Sequence, residues 1–533
     1  MGTAITFYHV DNAELLSGYR GVTVHQHPGT QDEPLPIVLA IGAAVYLVVR
    51  GRLKAALSEP YRPGETRGML AVGAVALLAA VPVLHFGPLA IGHDREVLQI
   101  TDNGIRSLFA AFLTNDAEYD GLYATVPEAA ALPLLHDAVR QDNTTFLRPE
   151  NQRSLLRHVD NGSTPKKLNI VLAIEESFGS TFFDGLDNNR PFPISPELTK
   201  LAEGGLLFTN IYATGDRTVR GLESLLTSFT PIPGISTARR AGSEGMNSLP
   251  FLLKSFGYRS EFLYGGRAVF DNMGHFWSSI GFDPVWDQGD IAEPGFTTIW
   301  GAADEFLFGE ALRRLDRETR DGQPVFLSLL TVSNHRPYTF PETSVQRDPA
   351  KTPGENSARY AAWAFADFVE RARSHPWFDD TVFIFIGDHG PRIYGAAEVP
   401  VQGFRVPLLY YSPKHIASGR DDTLGSSLDM MPTLLGLLGF SYDSPFFGVD
   451  LRRVPTGEGR IAMAHNFAVA FGRHGHLAVL GPQRDINGYD FVPGPDKAVH
   501  QPAADPATAA EAVAITQSAH RMFYNHEYHE LAR

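Results

Sequence analysis

Short apolar segments alternate with amphipathic stretches from residue 168 onward. The apolar segments are rich in Val, Ile, Leu and Phe, which is typical of strands buried on both faces of a sheet. The predicted strands are 168–175, 205–213, 258–265, 324–332 and 381–387, and the predicted helices among them are 247–256, 357–374 and 427–438. The alternation predicts an α/β fold, in which a mostly parallel sheet is flanked by helices.

Two longer apolar runs precede this pattern. Residues 35–49 carry no charge, and residues 68–92 contain His85 as their one ionisable group. A spanning helix needs about 20 residues, so the second run is long enough to cross a membrane, while the first also fits a buried core helix. The loop between them carries Arg50, Arg52, Lys54, Arg62 and Arg67 against Glu59 and Glu65. Excess Lys and Arg mark the cytoplasmic side, so the chain after residue 93 is expected outside the cytoplasm.

The chain divides into four predicted regions. They are a short α-helical membrane region (1–94), a connector with a helical stretch around 103–115 (95–165), the α/β domain (166–450), and a C-terminal extension packed on that domain (451–533). The extension is rich in Gly, Pro and His, and its helical candidate is 506–524.

Composition narrows the classes of function. The formal net charge of −15 argues against a general nucleic-acid binder, which usually carries a basic stripe. The chain has no cysteine, so disulfides, thiolate metal sites and cysteine nucleophiles are all excluded.

Polar side chains follow four of the predicted strands. Glu176 follows the first strand, Thr218 lies just past the second, His335 lies just past the fourth, and Asp388 with His389 follows the fifth. Open parallel sheets bind ligands beyond the carboxyl ends of their strands. These segments, which are far apart in sequence, are therefore expected to meet in one site.

The acidic residues and the histidine suggest a metal site. Asp388 and His389 lie in a Gly-Asp-His-Gly strand exit, and a carboxylate with an imidazole suits Mn²⁺, Zn²⁺ or Mg²⁺. A polar turn with a capping Asp is the alternative. Glu175 and Glu176 point to opposite faces by strand alternation, so one of them is expected to be a ligand. A helix N-terminal acid pair is the alternative for these two.

Thr218 precedes a predicted helix, VRGLESLLTS, whose N-terminus favours an incoming phosphate. A Thr hydroxyl needs a metal or a base to become a nucleophile, and an ordinary helix N-cap is the alternative. Arg217 and Arg220 flank it and offer contacts to phosphate oxygens. His335 is a candidate for contact with a leaving group or a phosphate.

The motifs LAIEESF, ATGDRTVRGLES, LTVSNHRPY and FIGDHG together resemble the lipoteichoic acid synthase and phosphoglycerol transferase branch of the sulfatase-like, alkaline phosphatase superfamily. The resemblance covers roughly residues 95–450 and implies a divalent metal, typically Mn²⁺ with Mg²⁺ or Zn²⁺ as alternatives, held by Glu176, Thr218, Asp388 and His389. It implies that Thr218 and His335 are catalytic, and that glycerol phosphate passes from phosphatidylglycerol through Thr218 to a glycan or lipid acceptor. The implied location is the inner membrane, with the catalytic domain facing the periplasm or the exterior.

The sequence departs from the family pattern in two places. The Trp-Asn-Arg stretch that grips the head group is replaced by Asp271-Asn272-Met273, so Arg267 or the arginines beside Thr218 are expected to substitute, with Asn334 and His335 also binding substrate. In this respect the chain resembles Gram-negative members that modify periplasmic glucans. The family usually has more spans than the two predicted here, which fits either a truncated N-terminus or a reduced membrane region.

Other functions remain as alternatives. A sulfatase needs a Cys or Ser in a Cys/Ser-x-Pro-x-Arg frame, whereas Thr218 is followed by Val-Arg-Gly-Leu. A phosphoethanolamine transferase shares the fold, the Thr and the metal. A soluble phosphodiesterase is disfavoured by the apolar runs, and a non-catalytic lipid-binding regulator by the intact Glu, Thr, Asp and His.

Overall fold

The computed structural model describes residues 119–186, 192–393, 398–494, 499–501 and 503–531. The predicted spans at 35–49 and 68–92 and the predicted helical stretch around 103–115 lie outside the described residues. Within the described ranges, no helix combines the length and the apolar character needed to cross a bilayer.

The α-helices are distributed along the whole described chain. They are α1 (Tyr119–Leu122), α2 (Glu128–Val139), α3 (Pro196–Ala202), α4 (Thr218–Thr227), α5 (Leu249–Ser255), α6 (Met273–Ser279), α7 (Asp304–Glu318), α8 (Pro353–Ala372), α9 (Met430–Leu437) and α10 (Pro506–Tyr524). The helices predicted at 247–256, 357–374, 427–438 and 506–524 correspond to α5, α8, α9 and α10, so these four predictions are confirmed.

The strands fall into three sheets. They are β1 (Thr144–Phe146), β2 (Arg157–Val159), β3 (Asn169–Glu175), β4 (Leu206–Tyr212), β5 (Arg259–Tyr264), β6 (Val285–Trp286), β7 (Val325–Leu330), β8 (Thr381–Gly387), β9 (Arg405–Tyr411), β10 (Gly419–Ser426), β11 (Tyr442–Ser444), β12 (Arg460–His465), β13 (Ala468–Arg473), β14 (His476–Leu480), β15 (Ile486–Asp490) and β16 (Val499–Gln501).

The largest sheet has eight strands in the order β10-β4-β9-β8-β3-β7-β5-β6. Its pairings are parallel except at β9, which runs antiparallel to both β4 and β8. The five strands predicted from the sequence are β3, β4, β5, β7 and β8. The prediction of a mostly parallel sheet flanked by helices is therefore confirmed.

Both faces of the central strands are buried because the sheet lies between two layers of helices. In β3, Ile170, Leu172 and Ile174 pack into one apolar cluster with side chains of α4, α5 and α9. Val171 and Ala173 point the other way and pack into a second cluster with side chains of α7 and α8. Strand alternation thus supplies both layers of the core.

The residues after 450 add a five-stranded antiparallel sheet, β12 to β16 in sequential order, followed by α10. The sequence indicated only the helix of this region, because strands such as RIAMAH and HLAVL are short and each contains Ala, which has low β-propensity. Before the main sheet, α2, β1 and β2 occupy part of the predicted connector, and β2 also pairs with β11, which follows α9 in the chain. Buried Arg157 ties that small sheet to the carbonyls of Phe446 and Gly448, at 2.8 and 3.0 Å.

Candidate active site

The carboxyl edge of the main sheet gathers the residues that the sequence singled out. Glu176 comes directly after β3, and Asp388 comes directly after the neighbouring strand β8. Asn334 and His335 lie beyond β7, on the other side of β3, and Thr218 begins α4. Parallel pairing of β3 with β7 and β8 brings these chain exits to the same edge.

Three buried groups at this edge are arranged to hold a metal ion. One ligand atom from each of Glu176, Asp388 and His389 lies within 4.8 Å of the other two. The His389 Nε2 atom is 3.6 Å from Asp388 Oδ2 and 4.0 Å from Glu176 Oε1. Its Nδ1–H donates to the Gly390 carbonyl at 2.7 Å, which leaves the Nε2 lone pair facing the carboxylates.

Asp388 is fully buried, yet only one of its oxygens is hydrogen-bonded. Oδ1 accepts from the backbone N–H groups of Ser177 and His389, at 2.8 and 2.7 Å. Oδ2 has no hydrogen-bond partner among the described residues. Burial, with a further contribution from Glu176, raises the pKa of Asp388 to about 7, although His389 opposes the shift. A buried carboxylate oxygen in this position fits a cation ligand.

Thr218 lies against the same cluster. Its Oγ1–H donates to Glu176 Oε2 at 3.0 Å, while the Ser177 hydroxyl donates to Glu176 Oε1 at 2.6 Å. Burial by itself would raise the pKa of Glu176, but His335, His389 and these hydroxyl donors bring it below its ordinary value. Thr218 is also the first residue of α4, so its hydroxyl lies where unsatisfied backbone N–H groups favour an anion.

The close approach of α4 to the strand exit depends on a glycine. A Cβ atom on Gly221 would lie 2.2 Å from the carbonyl oxygen of Asp388, closer than any real contact. Gly221 is one helical turn after Thr218, so the hydroxyl and the carboxylates meet only because the helix backbone contacts the backbone of Asp388.

Glu175 faces away from this cluster. Its Oε1 accepts a hydrogen bond from Thr331 Oγ1 at 2.8 Å, and the same hydroxyl accepts from the Glu176 backbone N–H at 3.0 Å. Burial and the neighbouring Asp304 raise the pKa of Glu175 well above its ordinary value. The expectation that alternation separates the two glutamates is confirmed.

The two polar residues beyond β7 occupy different environments. The Asn334 side-chain amide donates to the carbonyls of Glu176 and Ser177, at 3.1 and 3.3 Å, so it holds the backbone that carries Glu176. His335 is half-buried, and its ring lies 4.0 Å from the ring of Trp300. Its Nδ1–H donates to the Arg336 carbonyl at 3.0 Å, which leaves Nε2 available to a substrate.

The three candidate arginines are not equivalent. Arg217 is the half-buried residue immediately before α4. Arg220 is only 6% exposed, its Nη1 donates to the Ile232 carbonyl at 3.4 Å, and it lies near Glu223, so it is already engaged inside the protein. Arg267 is exposed in the loop after β5.

A hydrogen-bonded pair that the sequence did not indicate lies beside Thr218. The Nδ1–H of His465, at the end of β12, donates to Asp216 Oδ2 at 2.6 Å. Burial by itself would raise the pKa of Asp216, but the hydrogen bond and charge of His465 hold it well below its ordinary value. A histidine ending an apolar strand was the one local signal, and nothing near it in sequence indicates its partner 249 residues away.

Residues 168–440 match the family model described as sulfatase, which is just over half of the chain. The chain belongs to the sulfatase family. The matched range begins just before β3 and ends after α9, so it contains every residue of the Glu176, Thr218, Asp388 and His389 cluster. The predicted membership of the sulfatase-like alkaline phosphatase superfamily is confirmed.

Curated relatives of this sulfatase-family chain include phosphoglycerol transferase I from Salmonella newport and from Escherichia coli O157:H7. Each is 29% identical over 239 residues, which is 42% of this chain and 31% of the relative. The chain thus matches about a third of the length of these relatives. The predicted relationship to phosphoglycerol transferase enzymes is confirmed over these 239 residues.

Two solved structures share the fold. An alkaline phosphatase superfamily protein from Vibrio parahaemolyticus is 29% identical, with a TM-score of 0.71 over 77% of this chain and 99% of that chain. A lipoteichoic acid synthase from Listeria monocytogenes is 19% identical, with a TM-score of 0.58 over 68% of this chain and 97% of that chain, and it shows a likeness of fold.

Proposed function

We propose that this chain is a metal-dependent phosphotransferase that moves glycerol phosphate from phosphatidylglycerol to an acceptor hydroxyl through Thr218. The observation that carries the proposal is the 3.0 Å contact between Thr218 Oγ1 and Glu176 Oε2, beside buried Asp388 and His389. A hydroxyl, two carboxylates and an imidazole at a helix N-terminus form a site for attack on a phosphate ester. The names of the curated relatives support phosphoglycerol as the transferred group.

The residues present fit a divalent cation. Asp388 Oδ2 has no hydrogen-bond partner among the described residues, and His389 Nε2 faces it. Glu176, Thr218, Asp388 and His389 would hold the ion, and three oxygens with one imidazole favour Mn²⁺, Mg²⁺ or Zn²⁺. When bound, the cation would lower the pKa of the Thr218 hydroxyl and stabilise charge on the phosphoryl oxygens.

In the first step the Thr218 oxygen attacks phosphorus, and the bond from phosphorus to the diacylglycerol oxygen breaks. Glu176 Oε2 accepts the Thr218 hydroxyl hydrogen bond and takes that proton as the bond from the Thr218 oxygen to phosphorus forms. The N-terminus of α4 and the adjacent Arg217 favour the negative phosphoryl oxygens. His335 Nε2 is positioned to give a proton to the departing alcohol, since Nδ1 is already engaged with the Arg336 carbonyl.

In the second step an acceptor hydroxyl attacks the phosphorus bound to Thr218. The phosphorus–Thr218 bond breaks, Glu176 returns the proton that regenerates the Thr218 hydroxyl, and His335 takes the proton that the acceptor loses. The acceptor is an envelope glycan or lipid, and the membrane region predicted at 1–94 would anchor the enzyme beside its lipid donor. The catalytic unit then faces the periplasm or the exterior.

The identity of residue 218 argues against sulfate-ester chemistry by the usual route. That route converts a Cys or Ser side chain into an aldehyde, and this chain has Thr218 at the helix start and no cysteine. Retention of the Thr hydroxyl is what a direct oxygen nucleophile requires.

The test is release of diacylglycerol from phosphatidylglycerol by the full chain in vesicles. Thr218→Ala should abolish release and leave the fold intact, because the half-buried hydroxyl makes one side-chain hydrogen bond worth about 1 kcal/mol. Release by Thr218→Ala at near the parent rate would overturn the proposal.

A further inference from the structure

Two loops at the His335 side of the site expose large apolar side chains. Val269 is 86% exposed in the loop after β5, and Ile299 and Phe296 are 62% and 38% exposed in the loop before α7. Half of the exposed large apolar residues of the described ranges fall in these two loops, the others being Leu147, Val492 and Tyr524. Such clustering is unusual for a surface that only faces water.

The two loops are held together, so the exposed side chains belong to one surface. The Phe270 and Trp300 rings meet edge to face at 5.9 Å. The second loop is a tight hairpin, in which the Ala303 N–H donates to the Phe296 carbonyl at 3.0 Å and the Thr298 N–H donates to the Gly301 carbonyl at 2.7 Å. We call Val269, Phe296 and Ile299 the apolar lip.

The apolar lip is continuous with the active site. Trp300 follows Ile299, and its ring is 4.0 Å from the ring of His335. The Trp300 indole N–H donates to the Arg336 carbonyl at 2.5 Å, so its polar end is satisfied while its ring joins the lip to the histidine. Trp side chains with one apolar and one hydrogen-bonded end are typical of bilayer interfaces.

We propose that the apolar lip binds the enzyme to the surface of a phospholipid bilayer. The lip then contacts the diacylglycerol part of the donor when the donor's phosphate enters the site. This inference rests on the proposed function and adds how the lipid is reached. The phosphodiester of a phospholipid lies at the boundary between head group and acyl chains. The side of the site that holds the leaving alcohol, at His335, must therefore also accommodate apolar chains.

The charges around the lip are compatible with a lipid surface. Arg267 is exposed two residues before Val269, where it can meet lipid phosphates. Two acidic groups of these loops are paired with arginines, because Glu293 lies 3.5 Å from Arg313 and Asp271 lies 3.6 Å from Arg239. Asp287 and Asp290 instead accept hydrogen bonds from backbone N–H groups of the same two loops. Exposed apolar side chains beside an exposed arginine, Arg267, are a combination that binds to membrane interfaces.

The absence of native cysteine permits a direct test with the full chain in phosphatidylglycerol vesicles. Ile299→Cys is labelled with an environment-sensitive fluorophore, and Val492→Cys is the matched control. Val492 is 60% exposed against 62% for Ile299. It follows Phe491, which packs on Tyr212 of β4, five positions from β5 in the strand order. Quenching is measured with nitroxide-labelled acyl chains and with aqueous iodide.

The proposal predicts that the Ile299→Cys label is quenched by the acyl-chain nitroxide and protected from iodide, while the Val492→Cys label shows the reverse. Equal quenching at the two positions would overturn it. Protection of the Ile299→Cys label from both quenchers would also overturn it, because another protein segment or a second copy would then cover the lip.

A kinetic measurement separates failure of the lip from failure of the proposed function. Ile299→Ser should lower the rate on phosphatidylglycerol in vesicles by about tenfold more than the rate on a short-chain, monomeric phosphatidylglycerol. Val492→Ser should not lower the rate on the vesicle donor more than the rate on the short-chain donor. An equal loss on both donors would refute the lip and leave the transferase intact, whereas failure of the parent to cleave either donor would refute the proposed function itself.

Discussion

Asp388 is the acidic side chain of the site that is least able to carry its charge alone. It is fully buried, Oδ2 has no hydrogen-bond partner among the described residues, and Glu176 adds a second negative group nearby. The two backbone N–H donors serve only Oδ1. A cation at Oδ2 would remove this cost, which is why Asp388 is the residue through which metal binding is best tested.

We predict that Asp388→Asn loses the bound metal while keeping the fold. The amide oxygen can still accept the Ser177 and His389 N–H groups, and the uncompensated buried charge is gone. Saturating metal should stabilise the parent by about 2.7 kcal/mol at 100 times the dissociation constant. Elemental analysis and thermal unfolding with and without a chelator check this. Full metal content in Asp388→Asn would contradict the assignment.

At the residue scale, position after a strand indicated that Glu176, Thr218, Asp388 and His389 meet at one sheet edge, and the family resemblance was needed to distinguish a nucleophilic Thr218 from an ordinary helix N-cap. Each follows an apolar run that ends at the same sheet edge, Thr218 at a distance of six residues, and the structure brings them together. The Asp216–His465 pair lacked such a signal, because Asp216 lies in the loop after β4, His465 ends β12, and the two meet only after folding.

At the scale of elements, the contact between α4 and the exit of β8 sets the geometry of the site. Gly221 lies against the Asp388 carbonyl with no room for a Cβ atom. Since Thr218 is on the same helix, any displacement of α4 there also displaces the nucleophile from Glu176. A shift of about 1 Å is enough to lower a rate about 100-fold.

Gly221→Ala is therefore expected to lower turnover by about 100-fold and to destabilise the protein. Gly309→Ala is the matched control, because Gly309 also lies inside a helix, α7, and its nearest atom to a new Cβ is 4.0 Å away. The control should keep full activity and gain up to about 1 kcal/mol of unfolding free energy. Steady-state rates and denaturant unfolding give both readouts, and a fully active Gly221→Ala would contradict the account.

Strand β12 contributes a residue that positions the Thr218 segment. His465→Ala should lower kcat by about tenfold with little change in KM, because Asp216 then loses a charge-assisted hydrogen bond. His465→Asn, whose amide can donate to Asp216, should recover part of the loss. The control is His158→Ala, which breaks an exposed His–Asp pair of 2.8 Å between β2 and β11. Equal losses of kcat in His465→Ala and His158→Ala would show that His465 does not position the Thr218 segment.

Most elements with strong apolar runs could be predicted from the sequence, and those with weak ones could not. β3 and β8 are buried at every position and match their predicted ranges to within one residue. β12 and β14 are only six and five residues long, and each is stabilised as a strand by pairing with β13. β9 was not predicted at all, although it is buried at every position, because Pro407 within its apolar run argues against a central strand. Its antiparallel direction is set by the connections that fold around it.

At the scale of the whole molecule, the proposed reaction requires the catalytic unit and the lipid donor to be on the same side of the membrane. We predict that the basic loop 50–67 faces the cytoplasm and that the residues after 93 face outward. Ser58→Cys should resist a membrane-impermeant maleimide in intact cells, and Val492→Cys should react. The chain has no other cysteine to confuse the result. Like reactivity at the two positions would refute the topology.

The central claim is that a phosphoglycerol group is carried on Thr218, and intact-mass and peptide mass spectrometry test it most directly. The purified full chain is mixed with phosphatidylglycerol in the absence of acceptor, quenched in acid and digested. The account predicts added glycerol phosphate on the peptide containing Thr218, absent from Thr218→Ala. A phosphoethanolamine adduct on Thr218 would mean that the donor is a different phospholipid and that Thr218 is still the nucleophile. Diacylglycerol release during a complete turnover with no adduct on Thr218 would contradict the account.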